Sequence, residues 1–163
     1  MTTAALQAFK ARHGIDVFHL AGQSGGGGLV ATMLNMRSDI GCAVIASGSV
    51  SVWRLARAKG RLKDTTGYND SYDPVDHVAA IRQSPSLRIV VLSSRHDQNV
   101  LFETQEYYVN QLRRVGLTPV HLELPGTGAS YHGLEEFAKP AIAWCAQGLP
   151  DSEVKRRLEM LAK

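Results

Sequence analysis

The sequence predicts an α/β fold, a mostly parallel sheet of about four strands flanked by helices. Three observations predict it. Short apolar runs read as continuous buried strands instead of period-two alternations, the pattern of strands covered on both faces. Helical patterns alternate with those runs. The chain of 163 residues, 44% hydrophobic and 20% charged, is one domain's worth and can bury a core.

The elements follow in order. Ala5, Leu6 and Phe9 have helical spacing within Ala4 to His13, and Gly14 stops that helix as a C′ glycine does. Asp16 to Ala21 is a first strand, ending in the glycine-rich GQSGGGG, after which LVATMLNM returns to helical composition. Ile40 to Ser47, Arg88 to Ser94 and Pro119 to Leu124 are the next strands. Phe102, Tyr108, Val109, Leu112 and Val115 mark one face of a helix between the last two. Leu134 to Gln147 is a helix, and Asp151 to Ala162 is a charged amphipathic helix suited to packing or docking. This divides the chain into a body at 1–148 and a helical tail at 149–163.

Composition excludes several classes. The net charge of +3 is too small an excess to point to nucleic acid. No apolar run approaches the roughly 18 residues that span a bilayer, and the first residues read as a helix rather than a signal peptide, so no membrane contact and a cytoplasmic location are expected of the chain as written. A fragment of a longer, exported protein would change that expectation. Cys42 and Cys145 are too few and too far apart for a disulfide framework or zinc cluster and read as reduced, buried, small apolar residues. No ligand spacing for a metal or organic cofactor is present, and none is expected.

The stretch from Ser49 to Val75 breaks the rhythm, because it lacks a clear strand. Long connections of this kind are usually functional, and it reads as a cap-like insertion at about 49–75. It holds Arg54, Arg57, Lys59, Arg61 and Lys63 before its first acid, Asp64. Two readings stand: a solvated helical face, or a cap that attracts anionic substrates or a partner.

The sharpest local feature is Gly22-Gln23-Ser24-Gly25-Gly26, a G-x-S-x-G sequence between a predicted strand and a predicted helix. A nucleophile at the apex of such an elbow is backbone-strained, so its neighbours two positions away, Gly22 and Gly26, must lack bulk. Ser24 is the candidate nucleophile, and the Gly25 N–H, at a helix N-terminus, the candidate oxyanion donor. Serine needs a histidine to accept its proton and a carboxylate to orient that histidine. Asp97 lies just beyond the third predicted strand and His132 beyond the fourth, where catalytic groups of parallel sheets gather. Each has an alternative: the glycine turn as a phosphate cradle, Asp97 as a helix cap, His132 as a loop residue. His19 and His121 fall inside strands and read as satisfied sheet residues; His96 points away, and His13 and His77 lie on the surface.

The runs FHLAGQSGGGGLVATML, SYDPVDHV, VVLSSRHDQNVLF and SYHGL resemble the C-terminal half of an α/β-hydrolase, closest to the prolyl-oligopeptidase-like and dienelactone-hydrolase-like branches. The resemblance covers about Ala4 to Gln147 and implies a triad of Ser24, Asp97 and His132. It also implies that the strands are numbers 5 to 8 of about eight in that fold, with no counterpart here for the first half. The edge at 16–21 then lacks its usual neighbour, so a homodimer or a partner covering it is expected. The family's second oxyanion donor, from an HGG-like loop, is also missing, and loss of one donor costs about 10²- to 10³-fold in kcat.

Two functions are therefore expected to compete. One is a serine hydrolase of ester, thioester or peptide bonds, with a small ester or peptide substrate and an acyl-enzyme, an esterase before a peptidase. The other is a weak or inactive hydrolase remnant acting as an interaction subunit.

Overall fold

The computed structural model describes residues 2–64 and 71–163. Helix α1 (Thr2–His13) ends at Gly14, whose φ of 63° suits a residue without Cβ. Strand β1 (Phe18–Gln23) leads through one residue into α2 (Gly25–Met36), then β2 (Ile40–Ala46). The stretch from Ser49 to Val75 contains helix α3 (Val52–Ala58), and a 3-10 helix at Pro74–Ala80 closes it; the part of the predicted insertion at 65–70 lies outside the described residues. There follow β3 (Arg88–Ser93), α4 (Phe102–Arg114), β4 (Val120–Glu123), α5 (Glu135–Ala146) and α6 (Asp151–Leu161).

The four strands of the described residues are all parallel, in the order β1-β2-β3-β4, the sheet of a partial α/β-hydrolase fold. Because alternate residues of a strand face opposite sides, β2 feeds two cores. Ala43 and Ile45 pack under α2, the 3-10 helix and α4, with Leu34, Val78 and Tyr108, while Val44 and Ala46 pack under α5 and α6, with Phe137, Ala141 and Leu158. All seven β2 residues are buried, which explains the unbroken apolar run. Among the described residues β1 has a strand partner on one side only, and His19 and Ala21 are exposed.

Two expectations need correction here. β1 is shifted two residues along from the predicted Asp16 to Ala21. Val17 is exposed and outside the ladder, whereas Gly22 and Gln23 pair with Ile45 and Ala46, because ladder hydrogen bonds ask nothing of the side chain. The cysteines are not reduced: Cys42 and Cys145 form a disulfide, with Cα atoms 6.1 Å apart, tying β2 to the end of α5. Sequence separation hid the pair, because only the packing of α5 over β2 brings the two together. Disulfides persist in oxidising compartments and are rare in the cytosol. No helix among the described residues is long and apolar enough to cross a membrane.

The C-terminal helix is packed into the body. Val154 and Leu158, one turn apart on α6, are fully buried against the α5 side of the sheet, and each contributes about 1.5–3 kcal/mol by burial. Arg88 at the start of β3 pairs with Asp151 at 2.6 Å, fixing where α6 begins.

Candidate active site

Ser24 is the single residue between β1 and α2, with φ 55° and ψ −122°. A side-chain-bearing residue pays for positive φ, and the surroundings hold it there. Its N–H donates to the Ala46 carbonyl at 3.0 Å, and its carbonyl accepts from Gly28 N at 3.1 Å and Ser49 N at 3.0 Å. A serine at this position would ordinarily cap the helix, yet Ser24 makes no side-chain cap bond. Gly25, the first residue of α2, carries one of the helix's unpaired first-turn N–H groups.

The steric argument for the elbow holds at one glycine and fails at the other. A Cβ on Gly22 would strike the Gly26 carbonyl, so that turn needs glycine. A Cβ on Gly26 would meet nothing within 4 Å. The close approach lies further along: a Cβ on Gly27 would come within 2.7 Å of the Gly48 Cα, and one on Gly28 within 2.6 Å of the Ser49 carbonyl oxygen. The glycine run lets α2 start against the loop that follows β2.

Asp97 and His132 come together. Asp97 is buried in the turn after β3; its Oδ1 accepts from the N–H groups of Asn99 at 2.8 Å and Val100 at 2.9 Å, and its Oδ2 lies 2.8 Å from His132 Nδ1. The capping alternative is therefore met by one oxygen while the other holds the imidazole, and the N-cap of α4 is Leu101. Such a pair fixes the ring orientation and leaves Nε2 for a second partner. Ser24 Oγ makes no hydrogen bond to the His132 ring among the described residues, and contacts of this kind often tighten only with substrate present.

The loop carrying His132 is tethered on every side. Ser130 accepts from Gln98 N at 3.0 Å and, through Oγ, from Asn99 Nδ2 at 3.1 Å. Thr127 and Gly133 close its base with two backbone hydrogen bonds. Tyr131, just before the histidine, has φ 53°. Gln23, just before Ser24, donates from Nε2 to the His132 carbonyl at 3.3 Å and accepts at Oε1 from Leu134 N at 3.0 Å. Sequence reasoning placed Gln23 in the elbow and did not see this span of more than 100 residues.

The basic stretch divides by role. Arg54 stacks over the Tyr107 ring at 3.7 Å. Lys59 donates to the carbonyls of Gln98 at 2.9 Å and Asn99 at 2.7 Å, bracing the Asp97 turn. Arg57 lines a cleft of about 580 Å³ with Trp53 and Tyr107. Asp73 caps α3 by accepting from Val52 and Trp53 N–H groups, both at 3.1 Å; burial pushes its carboxyl up, and those bonds work against it. Arg57, Arg61 and Lys63 are exposed, as a solvated face requires, whereas Lys59 is engaged with the backbone of the Asp97 turn.

The other histidines stand apart. His121 Nε2 lies 3.0 Å from Ser93 Oγ, and burial lowers its pKa. His19 is exposed on the edge strand, His96 is exposed beside Tyr131, and His77 stacks on Tyr72. No group of three or more His, Cys, Asp or Glu among the described residues is arranged to hold a metal ion.

The profile of the prolyl oligopeptidase family matches residues 3–134, most of the chain. The chain belongs to the prolyl oligopeptidase family. No curated protein sequence matches it. Among solved structures, a puromycin hydrolase is similar with a TM-score of 0.69 and 16% identity, over 90% of this chain and 25% of that one. An acylaminoacyl peptidase from Pyrococcus horikoshii follows with 0.64 and 10%, over 89% and 26%. A Klebsiella pneumoniae protein described as a dienelactone hydrolase has 0.61 and 21%, over 90% and 59%. At these identities the likeness is one of fold. This prolyl oligopeptidase family chain spans about a quarter of the puromycin hydrolase and of the acylaminoacyl peptidase, and 59% of the third structure.

Proposed function

We propose that the chain carries a serine hydrolase site acting on ester, thioester or peptide carbonyls, with Ser24 as nucleophile, His132 as general base and acid, and Asp97 as the orienting carboxylate. The observation that carries the reading is the 2.8 Å contact of His132 Nδ1 with an Asp97 whose other oxygen is already fixed by two backbone N–H groups. A carboxylate held that way stabilises the imidazolium that forms when Nε2 takes the serine proton. Ser24 Oγ then bonds to the carbonyl carbon, and the Gly25 N–H stabilises the oxyanion. Collapse of the tetrahedral intermediate breaks the bond to the leaving group, which takes the proton from His132. Water, deprotonated by the same imidazole, releases the acyl group and restores Ser24.

We favour an ester over a peptide as substrate: a site whose identified oxyanion donor is the Gly25 N–H alone suits a good leaving group better than an amine. Intact-mass spectrometry after incubation with a fluorophosphonate, followed by peptide mapping, tests the reading. One adduct per chain at Ser24 is expected. A folded sample that stays unlabelled sinks the catalytic reading and favours an interaction subunit.

The reading includes a cover for the outer edge of β1, whose Phe18 and Leu20 are only half-buried and whose backbone has no strand partner on that side among the described residues. A second copy or a partner strand supplies it. Light scattering at micromolar concentration should return at least twice the 17.7 kDa chain mass; a stable monomer overturns the proposed pairing with a second copy.

A further inference from the structure

Gln23 is chemically unlike the glycines around it, and the two hydrogen bonds of its side chain both go to the loop of the proposed base. Its carboxamide straddles His132, donating to the carbonyl of residue 132 and accepting from the N–H of residue 134. This is the pairing a neighbouring β-strand would offer, made by one side chain. It also fixes which end of the amide is which: the flipped amide would set oxygen against oxygen and donor against donor. We infer that Gln23 is a positioning residue for His132, setting the distance between the nucleophile and its base without touching the reacting atoms.

The inference rests on the proposed hydrolase reading and deepens it. The residue next to Ser24 in sequence is hydrogen-bonded to the backbone of His132, so one side chain couples the two halves of the reacting pair. Other tethers do not replace it. Ser130 ties the loop to the Asp97 turn, and the Thr127–Gly133 bridge closes its base. Tyr131 and His132 lie between those tethers: the Tyr131 N–H is bonded only within the loop, to the Gly128 carbonyl at 3.1 Å, its φ of 53° is strained, and the Asp97 contact holds the His132 ring and not its backbone. Only a carboxamide fits both contacts: glutamate has no donor for the His132 carbonyl, methionine has the length but neither group, and asparagine lacks the reach.

The test uses the full chain and the fluorophosphonate probe. Wild type, Gln23→Met and Gln23→Glu are compared for the rate of labelling at Ser24 across pH, with hydrogen exchange at the Leu134 amide as a second readout. Gln23→Met should stay folded, exchange Leu134 faster and label about 10- to 100-fold more slowly, the scale set by a displacement of an ångström or less. Gln23→Glu should raise the pH midpoint of labelling, because a new negative charge near the ring favours the imidazolium. A folded Gln23→Met that labels at the wild-type rate, or that keeps the Leu134 amide protected, overturns the inference. So does a labelling loss that only follows the unfolded fraction. Wild type that is folded and unlabelled overturns the hydrolase reading itself, an outcome distinct from any difference among the Gln23 variants.

Discussion

At the amino ends of the strands, positive φ is taken by glycine: Gly14 ahead of β1 at 63°, Gly116 ahead of β4 at 87°, and Gly148 between α5 and α6 at 81°. At the carboxyl ends, Ser24 at 55°, Ser47 at 42° and Tyr131 at 53° adopt the same region with a side chain attached. Glycine is available there too, since Gly128 lies in the His132 loop at 78°. The first end turns its chain without strain. The second holds strain of about 1–3 kcal/mol at each of three residues, kept in place by neighbours such as the hydrogen bonds from Ser24 N to Ala46 and from Ser47 N to Leu92. One end of this sheet is built for stability and the other for the placement of particular side chains.

The largest expected effect separates the two properties at one residue. Ser24→Gly should abolish fluorophosphonate labelling, more than about 10³-fold for loss of a serine nucleophile, and raise stability by about 1 kcal/mol through relief of the backbone. A denaturant midpoint that falls instead would show that the elbow is not strained at this end.

Next comes the disulfide, which joins the other end of β2 to α5 across 103 residues of sequence. Reduction, or Cys42→Ala with Cys145→Ala, should cost about 2–5 kcal/mol and leave labelling per folded molecule unchanged. Thermal scans with and without reductant measure the first, and the labelling rate below the transition the second. An activity loss without a stability loss would break the division between the two ends.

Gly14→Ala is a smaller probe of the same division. The added Cβ meets nothing within 4 Å, so only the φ of 63° resists it. A loss of about 1–2 kcal/mol is expected, again with labelling intact.

The smallest effect is a pH dependence on β4. Burial lowers the His121 pKa from 6.5, so as pH falls the unfolded chain takes up its proton first. The contribution of His121 to stability is therefore complete above about pH 6.5 and declines as pH drops through that value toward the lowered folded pKa. His121→Gln should flatten this part of the stability profile. An unchanged slope between wild type and variant would remove the assignment.

Much of this was legible along the chain, for reasons that can be named. The β2 run is apolar throughout because both of its faces are covered, and that is written residue by residue. Ser24, Asp97 and His132 could be chosen because each follows a strand, where a parallel sheet gathers its chemistry. The edges of elements were less legible: β1 runs on through Gly22 and Gln23 because β2 offers hydrogen bonds there, and no hydropathy pattern registers that. Gly26 sits in the motif but has open space around it, whereas the unremarked Gly27 and Gly28 carry the close contacts.

The sequence by itself determined the alternation of strands and helices, the elbow and the order of its candidate partners, because these depend on local periodicity and on which residues sit at strand ends. Only the tertiary structure decided that Cys42 meets Cys145, that Lys59 braces the Asp97 turn, and that Gln23 reaches the loop of His132. Each of these joins groups far apart in the chain through a contact a few ångströms long. Such a contact depends on how the layers pack, and periodicity carries no record of it.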